Sequence, residues 1–137
     1  MFDQKIKNVK ETIGRIKTML ESRPFDSVYF VACGGSRATM NPGKYILERE
    51  TDKVTVDIYT ANEFVHTPPK RFTQNSVVVL NSYSGTTAET VEACRIAKEK
   101  GARTIAFSMF PDKAIGIADE VVFYEDEPSN AAPTFLT

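Results

Sequence analysis

The chain has 137 residues, enough for one domain with a real core, and its 42% hydrophobic and 26% charged content is ordinary for a globular protein. A formal net charge of −1 provides no global field toward nucleic acid or an anionic membrane, so neither is expected as a partner. Apolar runs such as SVYFVAC are too short to span a bilayer, the charge-mixed N-terminus has no signal-peptide core, and Cys33 and Cys94 lack metal or CxxC spacing, which together lead us to expect a reduced cytoplasmic protein without metal or cofactor.

In chain order, residues 4–22 place Ile6, Val9, Ile13, Ile16, Met19 and Leu20 on one stripe, the spacing of an amphipathic helix that ends before Pro24. SVYFVAC (27–33) reads as a buried strand. A helix is expected from about Ser36 to Glu50, adjusting around Asn41–Gly43, where proline and glycine interrupt it. VTVDIY (54–59) is a second strand, TANEF (60–64) a loop or short helix, and HTPPKRF is irregular. SVVVLNS (76–82) is a third strand, followed by a helix over 87–100 with Val91, Cys94, Ile96 and Ala97 inward and Gly101 closing it. RTIAFSM (103–109) and EVVFYE (120–125) complete five strands, joined by PDKAIGIAD with about one helical turn.

Strands alternating with helices predict a three-layer αβα sandwich: a doubly wound, five-stranded parallel sheet in the flavodoxin-like order 2-1-3-4-5. Residues 1–127 form this one domain, and 128–137 read as a linker or truncated tail. In such a sheet ligands bind beyond the carboxyl ends of the strands, where strand order reverses, here between strands one and three. The loops there are CGGS (33–36) and NSYSGTT (81–87), the two loops richest in glycine and hydroxyls. Each leads into a helix N-terminus, whose unpaired N–H groups and partial positive charge suit an anion. Gly34, Gly35 and Gly85 let backbone come close, while Ser36, Ser82, Ser84, Thr86 and Thr87 offer hydroxyls. A cradle of this kind carries no net charge and suits a sugar phosphate better than a triphosphate with its metal.

A plainer reading stands beside it, since Thr86-x-x-Glu89 matches a capping box that needs no ligand. A P-loop is excluded: Ala38 stands where its first glycine belongs, and Tyr45 follows Gly43-Lys44. The adjacent glycines of CGGSRATM do not make a G-x-G-x-x-G dinucleotide fingerprint either.

With Cys33-Gly34-Gly35-Ser36 and Ser82-Tyr83-Ser84-Gly85-Thr86-Thr87 at this spacing, the sequence resembles a sugar isomerase (SIS) domain. VYFVACGGS, KYILERE and YTANEF make it most similar to the N-terminal SIS domain of fructosamine deglycases, over about residues 27–125. The resemblance implies binding of 6-phosphorylated Amadori products such as fructoselysine 6-phosphate and their cleavage to glucose 6-phosphate and a free amine. It also implies a tandem SIS partner domain or a homodimer. Phosphate contacts would fall to Gly34, Gly35, Ser36, Ser82, Tyr83 (through its N–H), Ser84, Gly85, Thr86 and Thr87. The family's acid/base glutamate and histidine lie in the second SIS domain, so whether this chain alone is an enzyme stays open. Glu63 and His66, the one histidine, are the weak catalytic candidates here. Two alternatives remain: a one-domain aldose–ketose isomerase with an interface active site, and a non-catalytic phosphosugar-sensing module.

Overall fold

The computed structural model describes residues 2–124, with side chains described at position 7 and from position 10 onward. Five strands form one parallel sheet: β1 (Ser27–Ala32), β2 (Thr55–Thr60), β3 (Ser76–Asn81), β4 (Arg103–Ser108) and β5 (Glu120–Phe123), in the order β2-β1-β3-β4-β5. This is the predicted order. Around it lie α1 (Phe2–Glu21), α2 (Gly34–Ala38), α3 (Asn41–Glu50), α4 (Ala61–His66), α5 (Ala88–Lys100) and a 3₁₀ turn, Ala114–Ile117.

The strands are apolar on both faces because helices cover both, as parallel crossovers require. Side chains alternate along β1, so Val28, Phe30 and Ala32 face one layer and Tyr29 and Val31 the other. On the first face they join Val56, Val77 and Ile105 under Ile16, Met19 and Leu20 of α1 and Met40 and Leu47 beside α3. On the second, Tyr29, Val31, Val78, Leu80 and Ala106 pack against Phe64 of α4 and Ala93, Cys94 and Ala97 of α5. Each fully buried Val or Leu contributes about 1.5–3 kcal/mol by leaving water.

Several local expectations change. The 36–50 segment is two helices rather than one adjusted helix, because α3 restarts at Asn41 with Pro42 in its first turn, where a missing N–H costs nothing. The TANEF segment is helical, with Thr60 as N-cap in a complete capping box with Glu63. The box expected at Thr86 and Glu89 is not formed: Thr87 is the N-cap of α5 and makes no side-chain cap bond. The Thr86 hydroxyl bonds Ser84 instead, at 3.0 Å. Ile13, placed on the buried stripe by spacing, is 58% exposed; α1 meets the sheet through Ile16, Met19 and Leu20, and one turn earlier no described residue covers that face. The side chains of Ile6 and Val9, residue Glu125 and the 128–137 tail lie outside the described residues. Gly101 ends α5 as predicted, at φ 89°, with Ala102 N–H donating to the Ala97 carbonyl at 3.0 Å.

Candidate functional site

Three strand ends stand side by side at the carboxyl edge. Ala32 of β1 is in register with Thr60 of β2 and Asn81 of β3. The chain leaves each of them into a helix: α2, α4 and, after a six-residue loop, α5.

The loop after β1 begins with extended Cys33 and turns at Gly34, whose φ of 52° lies in the left-handed region that glycine adopts without penalty. A Cβ added at Gly35 would meet no atom within 4 Å, so the backbone there faces open space. Ser36 is half-buried, and its carbonyl accepts from the Thr39 hydroxyl at 2.7 Å.

The loop after β3 is closed by its own hydroxyls. Ser82, 1% exposed, accepts the Gly85 N–H at 3.1 Å and donates to the Thr87 hydroxyl at 3.3 Å. Ser84 Oγ accepts both the N–H (3.2 Å) and the hydroxyl (3.0 Å) of Thr86. Gly85 sits at φ 74°, and an added Cβ would lie 2.6 Å from the Phe110 carbonyl oxygen. Glycine is therefore required twice over, by conformation and by space. Tyr83 is exposed, its ring 6.4 Å from that of Tyr124. The first turn of α5 follows, with N–H groups that lie beyond the reach of intrahelical bonding and no side chain capping them.

Asn81, a residue the sequence reading did not single out, joins the two loops. Its Nδ2 donates to Thr39 Oγ1 at 3.0 Å and to the Ser36 carbonyl at 3.4 Å, and its Oδ1 accepts from the Tyr124 hydroxyl at 3.2 Å. The available signal was a polar side chain ending the run SVVVL, which a buried strand tolerates only with partners. On the opposite side, Cys33 Sγ accepts from the Thr90 hydroxyl of α5 at 3.8 Å. All the predicted phosphate-loop residues therefore gather at one edge.

The two catalytic candidates lie three residues apart on α4. Glu63 is at the edge, held by Thr60, whose hydroxyl donates to Oε1 at 2.8 Å and whose N–H donates at 3.3 Å. These bonds, with a smaller contribution from the Arg37 charge, keep its carboxyl below the usual glutamate range. His66 ends α4, exposed, three residues on and about 4.5 Å further along the helix axis.

A cavity of about 500 Å³ lies instead at the amino edge, lined by Met19, Arg23, Lys98, Arg103 and Asp119 among others. Its charges are largely committed. Arg103 donates to the carbonyls of Met19 and Leu20 in the last turn of α1 and of Pro24 just beyond it, and Lys98 pairs with Asp119 at 2.9 Å. Among the described residues no helix is long and apolar enough to cross a membrane.

The SIS domain profile matches residues 23–136. Fructosamine deglycase FrlB of Bacillus subtilis is 45% identical over 96 residues, covering 70% of this chain and 29% of that protein. A glutamine–fructose-6-phosphate aminotransferase (isomerizing) of Clostridium acetobutylicum is 34% identical over 99 residues, covering 72% of this chain and 16% of its own. Among solved structures, a Bacillus subtilis protein proposed to be a phosphosugar isomerase superposes with a TM-score of 0.84 at 38% identity, covering 93% of this chain and 39% of that one. The chain thus spans well under half the length of these relatives.

Proposed function

The chain belongs to the SIS domain family, and on that premise we propose that its carboxyl edge binds a phosphorylated sugar, as the substrate-binding half of a deglycase acting on 6-phosphorylated Amadori products. The observation that carries this reading is the joining of two glycine- and hydroxyl-rich loops by Asn81 beside the uncapped first turn of α5. The similarity to a fructosamine deglycase supports the choice of substrate class.

In this reading the phosphate lies over the first turn of α5. The N–H groups there, with that of Tyr83, and the hydroxyls of Ser84 and Thr87 donate to it, while Thr86 braces Ser84 with both its N–H and its hydroxyl. Ser82 shapes the loop from below, since its hydroxyl is buried and engaged. Gly34 and Gly35 keep the opposite wall low enough for the sugar, with Ser36 beside it. Deglycation needs proton transfers next to a carbonyl and hence a poised acid and base. Glu63, held as a carboxylate by Thr60, suits acceptance of a sugar hydroxyl or ammonium proton better than proton donation. We assign the principal acid and base to a further SIS domain, in tandem or in a second subunit, with Glu63 and His66 as the weaker candidates on this chain. The reaction needs no metal or cofactor, and a reduced cytoplasm is the compartment this chemistry implies.

Thermal unfolding with and without glucose 6-phosphate tests the binding step. At a hundredfold excess over Kd a ligand selective for the native state adds about 2.7 kcal/mol. Ser84→Ala combined with Thr87→Ala should remove the rise in Tm and leave the fold intact. A wild-type Tm that does not move at millimolar ligand would sink the reading.

A further inference from the structure

A phosphate dianion held at this edge by neutral N–H and hydroxyl groups is bound more tightly with a full positive charge nearby, and neither loop contains one: CGGS and SYSGTT hold no cation. The two nearest acids, Glu63 and Glu89, would repel it. The residue immediately after the first loop is Arg37. Its backbone N–H is engaged with the Cys33 carbonyl at 3.3 Å, which fixes the main chain. Its side chain is half-buried, and its enclosed Nε has no hydrogen-bond partner. Among the described residues its guanidinium makes neither a hydrogen bond nor an ion pair.

An arginine has five N–H donors and holds its charge at every relevant pH; Arg49 and Arg71 are likewise unbonded among the described residues but exposed to water, whereas Arg37 is half-buried with its Nε enclosed. Arg103 also leaves its Nε unbonded, but its terminal nitrogens reach three carbonyls. Arg15 and Arg95 have carboxylate partners. The Glu63 carboxylate feels the Arg37 charge while Thr60 holds that carboxylate in place. The bond from its N–H to the Cys33 carbonyl keeps Arg37 at the carboxyl end of β1, two residues from the open space at Gly35, and Ala32 there is in register with Thr60 of β2, which holds Glu63. Neighbouring strands are about 4.8 Å apart, so the β3 loop is within reach of the long arginine side chain.

We propose that Arg37 is a ligand-binding residue that supplies the countercharge for the sugar phosphate, donating from its uncommitted guanidinium. This inference rests on the phosphosugar reading above and adds the source of charge that reading lacks. It makes the site selective for the doubly ionised phosphate, whose second ionisation falls near pH 6. Desolvated pairing of a guanidinium with a phosphate contributes more than a neutral bond, equivalent to about a ten- to hundredfold change in affinity.

Isothermal titration of glucose 6-phosphate into the wild-type chain, Arg37→Met and Arg37→Lys, between pH 5 and pH 8 and at two salt concentrations, tests the proposal. Arg37→Met should bind about ten- to hundredfold more weakly at pH 8. It should also lose most of the wild-type gain in affinity between pH 5 and pH 8 and most of the salt dependence. Arg37→Lys should recover part of each. A merely structural role would leave the pH and salt dependence of the residual binding intact. Wild-type binding matched by Arg37→Met in affinity and pH profile overturns this inference and leaves the phosphosugar reading standing. No binding by the wild-type chain overturns both. Should Arg37→Met fail to fold, the uncharged Arg37→Gln takes its place: the same losses are expected, and wild-type affinity with an unaltered pH profile overturns the inference.

Discussion

The side-chain amide of Asn81 donates to the Thr39 hydroxyl at 3.0 Å, across 42 residues of sequence. With its second bond to the Ser36 carbonyl, this one side chain sets the separation of the two loops proposed to hold the ligand. Asn81 is only 6% exposed, so water cannot replace those bonds. Asn81→Ala should therefore cost about 1–3 kcal/mol, the penalty for stranding buried polar groups. It should also weaken glucose 6-phosphate binding although Asn81 is not assigned to the phosphate. Urea unfolding read beside a binding titration checks both, and unchanged affinity would show that the loops hold their spacing without it.

Gly85 and Gly35 should respond in opposite ways to alanine. At Gly85 the new Cβ would be 2.6 Å from a backbone carbonyl at a left-handed φ, so Gly85→Ala should destabilise the fold by more than about 1 kcal/mol. At Gly35 the Cβ meets nothing, and a helical alanine is preferred over glycine by up to about 1 kcal/mol. Gly35→Ala should keep or raise Tm and yet lose phosphosugar affinity, because the methyl group enters the space assigned to the ligand. A variant that is both stable and fully competent in binding would move the ligand away from this loop.

Asp119 gives the fold a specific acid sensitivity. Burial by itself would raise its pKa, but the bonds from Lys98 at 2.9 Å and from the Thr104 N–H at 2.9 Å outweigh burial and hold it below the usual aspartate value. A depressed folded-state pKa adds stability that is complete above the unfolded value, near 4, and is lost as pH falls through the lower folded value. Asp119→Asn should be less stable than wild type at neutral pH, and the gap should close on acidification below about pH 4. Equilibrium unfolding at pH 7, 5 and 3 measures this; a gap that stays constant would mean that Asp119 contributes through shape alone.

Much of this was readable from local pattern. The five apolar runs, their alternation with helical spacing, and the glycine punctuation at Gly85 and Gly101 are short-range signals, because strand and helix periods and left-handed turns are decided by nearby residues. Boundary errors at Ala32, Asn81 and Ser108 were of one residue, where a strand gives way to a loop of similar composition. The capping box was assigned to Thr86 and Glu89 although Thr60 and Glu63 form one, since both stretches present a hydroxyl three residues before a glutamate. What separates them is the nearby Ser84 hydroxyl, which takes Thr86 for the loop.

The sequence by itself determined the fold class, the order of the elements and the two loops that lie at the switch point. Those follow from periodicity and from the handedness and economy of parallel crossovers. Only the tertiary structure decided which groups at that edge are already spent and which are free. It commits the Ser82 hydroxyl and both Thr86 donors within one loop, leaves the Ser84 hydroxyl proton uncommitted, ties Asn81 to Thr39 and Glu63 to Thr60, and leaves Arg37 Nε without a partner among the described residues. Hydrogen-bond capacity is consumed by neighbours in space, and residues 39 and 81 become neighbours only when β3 has paired with β1.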